Sequence, residues 1–286
     1  MANILLVDGK NTAYRALFAS RSPKYAKRHP FTVWLSFTHV WIEKFKPEAV
    51  HVFWDCPKSE IWRKKVLNEY KDQRDKMVHY TPDVQDALFT LINAAMEILP
   101  NMGVRQYYRQ NQECDDLIYS ACKAMGHPPC ADLSQNRSVI VVSSDSDFLQ
   151  LQWSMPHVQI YLPKEGKLAE EPQCDKALAK SLSGDEADNV EGYRGIGPVK
   201  SAELAANPAL LAEFLKTVDP AKLKRNLALI DLSFNPYVVS NYLYVLSEMA
   251  KPVKYDRAAV FELIMKHRVL GLMAEWSSLM GFKNLR

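Results

Sequence analysis

The sequence predicts an α/β fold: a mainly parallel central sheet with helices on both faces, followed by a smaller helical lobe. Two observations predict it. Short apolar runs recur between stretches of helical spacing, and several of those runs end in aspartate. After about residue 172 the apolar runs stop, and helical spacing punctuated by Gly and Pro takes over. Strands that alternate with helices pair in parallel through right-handed crossovers, which lets helices cover both faces.

Taken in order, residues 3–8 (NILLVD) read as a buried strand closed by Asp-Gly, and residues 11–20 as a helix. Residues 32–45 are apolar at helical spacing, and residues 49–55 (AVHVFWD) form a second strand that again ends in Asp. Residues 82–99 open with Pro in the first turn of a helix. A third strand is predicted at 104–107, a helix at 113–125, a fourth strand at 138–143 running into Ser-Asp-Ser-Asp, and a fifth strand at 158–162. The expected organisation is an α/β core over residues 1–172 and a helical lobe over 173–286.

Composition narrows the classes. Of 286 residues, 48% are hydrophobic and 24% charged, an ordinary globular balance. No run of about eighteen uncharged apolar residues exists, so a membrane span is excluded. The N-terminus lacks the basic flank and cleavage site of a signal peptide, which predicts a cytoplasmic protein. Five widely spaced cysteines (Cys56, Cys114, Cys122, Cys130, Cys174) fit neither a disulfide framework nor a zinc knuckle, and read as reduced thiols, mostly core. The net charge of +3 says little, but seven basic residues crowd into 58–76: Lys58, Arg63, Lys64, Lys65, Lys71, Arg74 and Lys76. Four acids sit among them, and by itself such a run reads as a solvated helix face.

Ligands of an open parallel sheet bind at the carboxyl ends of its strands. Acids stand at those points: Asp8 after the first strand, Asp55 after the second, Asp145 and Asp147 after the fourth. Glu113, Asp115 and Asp116 open a helix, and Asp185 and Asp188 add an i, i+3 pair from the lobe. Each alone reads as a turn residue or cap. Nine together on one sheet edge would repel one another unless cations were present. An oxygen-only donor set favours Mg²⁺ or Mn²⁺ over zinc, and two such ions activate a water and stabilise the leaving oxygen in phosphodiester hydrolysis.

Six motifs in order closely resemble the flap endonuclease and 5′ nuclease superfamily, which includes bacteriophage 5′ exonucleases and the N-terminal domain of bacterial DNA polymerase I. They are VDGKNTAYRALFA (7–19), FWDCPKSEIWR (53–63), YKDQR (70–74), ECDD (113–116), SDSD (144–147) and GDEADNVEGYRGIG (184–197). The resemblance implies a structure-specific 5′ nuclease, both flap endonuclease and 5′-3′ exonuclease, that leaves 5′-phosphate products. It implies a helical arch at about 58–80 and a helix–three-turn–helix at about 183–206.

Carried over by position, one metal group would use Asp8, Asp55, Glu113 and Asp115. A second would use Asp116, Asp145, Asp147, Asp185 and Asp188. Lys71 and Arg74 would reach the scissile phosphate, and Arg15, Arg63, Tyr70 and Lys200 would contact DNA. Gly192, Gly195 and Gly197 let the backbone turn tightly and offer N–H groups to a DNA phosphate. In the family that element also holds a potassium ion on its carbonyls. One residue more than the usual Pro-Lys follows the last glycine here, in Pro198-Val199-Lys200. The implied partners are DNA with 5′ flaps, nicks or free 5′ ends, RNA–DNA hybrids and replication proteins, with the chain a monomer, in the host cytoplasm if phage-encoded. A PIN-like ribonuclease and a non-catalytic DNA-junction module are the alternatives; the arch and glycine motifs weigh against the first, the complete carboxylate set against the second.

Overall fold

A computed structural model describes residues 2–25, 28–73, 81–126 and 137–269. Six strands form the main sheet: β1 (Ala2–Asp8), β2 (Ala49–Phe53), β3 (Arg105–Tyr107), β4 (Arg137–Val142), β5 (Val158–Leu162) and β6 (Lys167–Leu168). Their order is β3-β2-β1-β4-β5-β6. The first five run parallel and β6 is antiparallel at the edge. β1 is central, with Val7 in register with both Val52 and Val142. The chain builds outward to β2 and β3 on one side of β1, then crosses to β4 and β5 on the other. That reversal opens a crevice at the carboxyl ends of β1 and β4.

Alternation along β1 assigns its side chains to two cores. Leu5 and Val7 join one apolar cluster, while Ile4 and Leu6 join another with Phe53 of β2. The first cluster is closed by α1 (Gly9–Ser20), α2 (Pro30–Phe45) and α3 (Pro82–Ile98). The second is closed by α4 (Cys114–Gly126) and α5 (Leu149–Ser154). Beyond the sheet lie α6 (Lys176–Ser183), α7 (Pro198–Ala206), α8 (Pro208–Leu215) and α9 (Pro220–Ile230), gathered around Leu182, Ile196, Leu204 and Leu223. α10 (Val238–Ala250) then packs on α4, and α11 (Arg257–Lys266) returns to α3. The chain after residue 172 thus supplies both a separate helical cluster and outer cover for the two sheet faces. No described helix is long and apolar enough to cross a membrane.

One expectation is corrected and another refined. The strand signal does not stop at 172, because β7 (Gly184–Asp185) and β8 (Val190–Glu191) pair antiparallel between α6 and α7. Two-residue ladders carry no periodicity, and this one is set by close backbone approach: a Cβ on Gly192 would lie 2.0 Å from the Ser183 carbonyl oxygen. The expected helical arch is helical only in short 3-10 pieces in its described part. Residues 58–60 and 62–65 form short 3-10 helices, and turns follow to residue 71, with 3-10 geometry again at 72–73. Arg63, Tyr70 and Lys71 of this segment turn inward, as described below, which a continuous solvated helix face would not allow. Its remainder, 74–80, lies outside the described residues. Cys56, Cys114, Cys122 and Cys174 are free and buried, as expected, and Cys130 lies outside the described residues.

Candidate active site

The crevice is built by the sheet. Asp8 closes β1 and caps α1: its Oδ1 accepts the Asn11 N–H at 2.9 Å, and its Oδ2 accepts the Ser143 hydroxyl at 2.8 Å. Gly9 follows because nothing larger fits; a Cβ there would sit 2.5 Å from the Trp54 ring and 2.6 Å from the Phe53 carbonyl oxygen. Asp55, two residues beyond β2, accepts the Cys114 N–H at 2.8 Å and pairs with Lys10 at 3.2 Å. Its carboxylate therefore faces the start of α4, where unpaired N–H groups favour negative charge. Asp145, after β4, accepts the Asp147 N–H at 2.9 Å. A cleft of about 130 Å³ is lined by Asp8, Asp55, Glu113, Asp115 and Asp145 together with Lys10 and Lys71. Asp145, expected in the second metal group, lines the cleft of the first.

A second acidic group lies toward the helical lobe. Ligand atoms of Asp147, Asp185 and Asp188 lie within 4.8 Å of one another, as do those of Asp8, Cys114 and Asp115 in the first group. Asp185 accepts the N–H groups of Ala187 and Asp188, at 3.0 and 3.3 Å, so a tight turn presents both acids together.

Four bases reach into this acidic edge among the described residues. Arg63, 2% exposed, grips Glu113 at 2.9 Å and Asp116 at 2.8 and 3.0 Å. Lys71 bonds Glu113 and stands 3.8 Å from Asp188, which places it between the two acidic groups. Lys180 bonds Asp147 and lies 2.7 Å from Asp185. Lys10 holds Asp55. Buried carboxylates demand counter-charge, and a planar guanidinium satisfies two of them at once.

The balance is uneven, and the proton affinities show where negative charge is in excess. Burial, then the Asp55 carboxylate, pushes Asp8 up to about 7. Burial, then Asp145, pushes Asp115 well above the usual carboxylate range. Against its burial, Asp55 is held down at about 2 by Lys10, by the Cys114 N–H and by Lys71. Glu113, also against burial, is lowered by Lys71 and Arg63. Asp147 is raised by burial and by Asp145, although Lys180 opposes the shift. Burial keeps the Cys114 thiol far above its ordinary range, so it stays a protonated thiol. What remains is a hard, oxygen-only donor set with uncompensated charge at Asp8 and Asp115, which fits a divalent cation.

Other sequence-predicted residues fall unequally. Asp116 is 1% exposed and spent on Arg63 and on the Trp62 N–H at 3.1 Å, away from the cleft. Arg63 and Tyr70, expected on DNA, are both buried here, and Tyr70 donates its hydroxyl to Asp188 at 3.2 Å. Within the run that looked like a solvated face, Arg63 and Lys71 are drawn inward by acids distant in sequence, while Lys58 and Lys64 pair with the neighbouring Asp72 and Lys65 is exposed. Arg15 lies over the Phe37 ring at 5.4 Å and is half-buried. Gly197 caps α7, Gly195 has φ +77°, and Lys200 is exposed in the first turn of α7. Arg74 lies outside the described residues. Sequence reasoning missed Lys10, Lys180 and Ser143. Lys10 follows a strand-end Asp-Gly, a usable signal, whereas nothing local marks Lys180 as an active-site base.

Fold and site together define the class: an α/β enzyme of the metal-dependent nuclease type, with its acidic cleft at the switch point of the sheet. The family described as 5′-3′ exonuclease, N-terminal resolvase-like domain, matches residues 3–179, and the chain belongs to that family. The 5′-3′ exonuclease of Mycoplasma pneumoniae is 30% identical over 98% of this chain and 100% of that protein. DNA polymerase I of Streptococcus pneumoniae serotype 4 is 27% identical over 78% of this chain, which spans only 26% of the polymerase. Among solved structures, a bacteriophage T5 flap endonuclease complex with DNA and metal ions is 18% identical, with TM-score 0.66 over 93% of this chain and 98% of that one. At that identity the likeness speaks to the fold.

Proposed function

We propose that this enzyme is a Mg²⁺-dependent 5′ nuclease that cuts DNA at 5′ flaps, nicks and free 5′ ends, leaving 5′-phosphate products. The observation that carries the proposal is the pair of acidic groups, Asp8–Asp115 and Asp147–Asp185–Asp188, with Lys71 between them. When bound, two divalent cations there supply an activated water and stabilise the leaving oxygen. The chain does the rest. Asp55 and Asp145 complete the cleft, and Ser143 fixes the orientation of Asp8. Lys71, together with Arg74, stabilises charge developing on the scissile phosphate.

The helical cluster α6–α9 holds duplex through its backbone. Main-chain N–H groups around Gly192, Gly195 and Gly197, with Lys200, meet phosphate, and main-chain carbonyls of the same segment hold a potassium ion. Such contacts read no bases, so affinity should fall with salt but not vary with sequence. The test compares Mg²⁺-dependent cleavage of a 5′-labelled flap, a nicked duplex, a single strand and a matched RNA, with Asp145→Asn as control. Cuts near the flap junction that disappear in the variant are expected. Tight flap binding without cleavage in Mg²⁺ or Mn²⁺ would mark a binding module, and cleavage confined to RNA a ribonuclease.

A further inference from the structure

A second, larger cleft opens beside the carboxylates, and the chemistry above does not use it. Its volume is about 750 Å³, within the roughly 300–1,000 Å³ of small-ligand clefts. Its walls share Lys10, Asp55, Lys71 and Glu113 with the carboxylate cleft, so the two are continuous. The far wall is of a different kind. Phe89, Ile92 and Met96 form one stripe along α3, and Tyr108 faces them from the end of β3. Phe89 is 67% exposed, Met96 38% and Tyr108 42%. Large apolar side chains left this open beside a charged cleft mark a binding surface.

Lys10 and Lys58 also line the cleft, and Asn93 and Asp86 offer donors and acceptors from α3. Rings for bases and cations for phosphates are the composition of a single-strand nucleic-acid site. The order of the sheet gives the direction. Along its carboxyl edge stand Tyr108 after β3, Asp55 after β2, Asp8 after β1, and Asp145 and Asp147 after β4. Lys180 of α6 contacts Asp147, and Leu229 and Ile230 of α9 pack on Ile61 and Tyr70. The helical cluster therefore reaches from the β4 end to the segment after β2, whereas Tyr108 and the α3 stripe stand beyond it on the β3 side. On the nuclease reading above, duplex is held by the helical cluster and the cut falls at the carboxylates. This cleft, which adjoins them through Lys10, Asp55, Lys71 and Glu113 and extends toward β3, then offers a path to the strand 5′ of the cut.

We propose that the cleft binds the unpaired nucleotides immediately 5′ of the scissile phosphate, stacking a base against Phe89 and Tyr108. The proposal rests on the nuclease reading, and the test separates the two. The full-length enzyme is assayed on flap DNA carrying natural nucleotides, or abasic residues, at the two positions 5′ of the cut. For the wild type, removing the bases should lower kcat/KM about tenfold, mainly through KM. Phe89→Ala and Tyr108→Ala should lose about as much on natural DNA and show no further loss on the abasic substrate. Phe89→Trp should restore the dependence on the base. Phe89 is mostly exposed, so its replacement leaves the core intact; thermal melting checks this for Tyr108→Ala. Equal cleavage of natural and abasic flaps by the wild type, or variants that lose equally on both, would overturn the cleft assignment and leave the stripe to a protein partner. A wild type that cuts no DNA would overturn the nuclease reading and this assignment together.

Discussion

Asp8 is held in a position that serves binding and opposes folding. It is buried, it faces Asp55, and its carboxyl titrates at about 7 against an ordinary value of 3.8. A folded-state value above the unfolded one means that its contribution is fully present below about pH 4 and is lost as pH rises through about 7. The shift corresponds to a loss on the order of 4 kcal/mol across that window in metal-free protein. Asp8→Asn keeps the cap and the Ser143 contact without the charge. In chelator, urea denaturation should find the variant near wild type at about pH 4 and several kcal/mol more stable at about pH 8, with cleavage abolished. A stability difference that does not change with pH would sink this account. Arg63 shows the opposite case. Arg63→Ala strands Asp116 without counter-charge, leaves Glu113 with Lys71 alone, and should cost about 3–5 kcal/mol. Arg63→Lys, which keeps the charge but not the fork, should cost less. A loss under about 1 kcal/mol for the alanine variant would show the pair is not needed to balance the buried acids.

The joint between α6 and α7 depends on backbone contact more than on side chains. Gly192 lies against Ser183 and Gly184, and the Asn226 side chain ties that joint to α9 by donating to the Ser181 and Glu191 carbonyls at 2.9 Å each. Gly192→Ala must push the two backbones apart. Amides of α6 and α7 should then lose hydrogen-exchange protection by at least tenfold, about 1.4 kcal/mol, while those of β1 and β4 keep theirs. Unchanged protection in α6 would contradict the steric argument. The same joint shows what sequence can and cannot disclose. β1, β2, β4 and β5 were legible because each is a buried apolar run, and α1 to α4 because caps, prolines and spacing agree. The pairs β5–β6 and β7–β8 were not legible, since two-residue ladders form where tertiary contacts bring backbones together. The carboxylates were legible as strand ends and helix starts. The inward turn of Arg63, Tyr70 and Lys71 was not, because the acids that attract them sit at residues 113, 116 and 188. A charge run reads as solvated until its distant partners are known.

At the scale of the molecule, the metal-free fold is a compromise between acids that the substrate chemistry requires and bases that hold them together. Among the described residues, nine carboxylates meet Lys10, Arg63, Lys71 and Lys180, and the excess negative charge collects at Asp8 and Asp115, whose proton affinities are raised. Divalent cations relieve that excess only in the folded state, where the acids converge. Binding therefore adds to stability in proportion to RT ln(1 + [L]/Kd), and the gain should grow with pH as Asp8 gives up its proton on metal binding. Thermal melting in chelator and in Mg²⁺ at matched ionic strength is the measurement. A rise in Tm with Mg²⁺ that is larger at about pH 8 than at about pH 6 is expected, because a proton must leave Asp8 at the lower pH. General screening by sodium chloride should give a smaller shift, since buried charges are screened far less than exposed ones. The Mg²⁺ shift should shrink in Asp8→Asn and persist in Phe89→Ala, which lies outside the acidic edge. Equal melting in Mg²⁺ and in sodium chloride would mean that the converged acids hold no ion, and that Lys71, Arg63 and Lys180 already complete the charge balance of the fold.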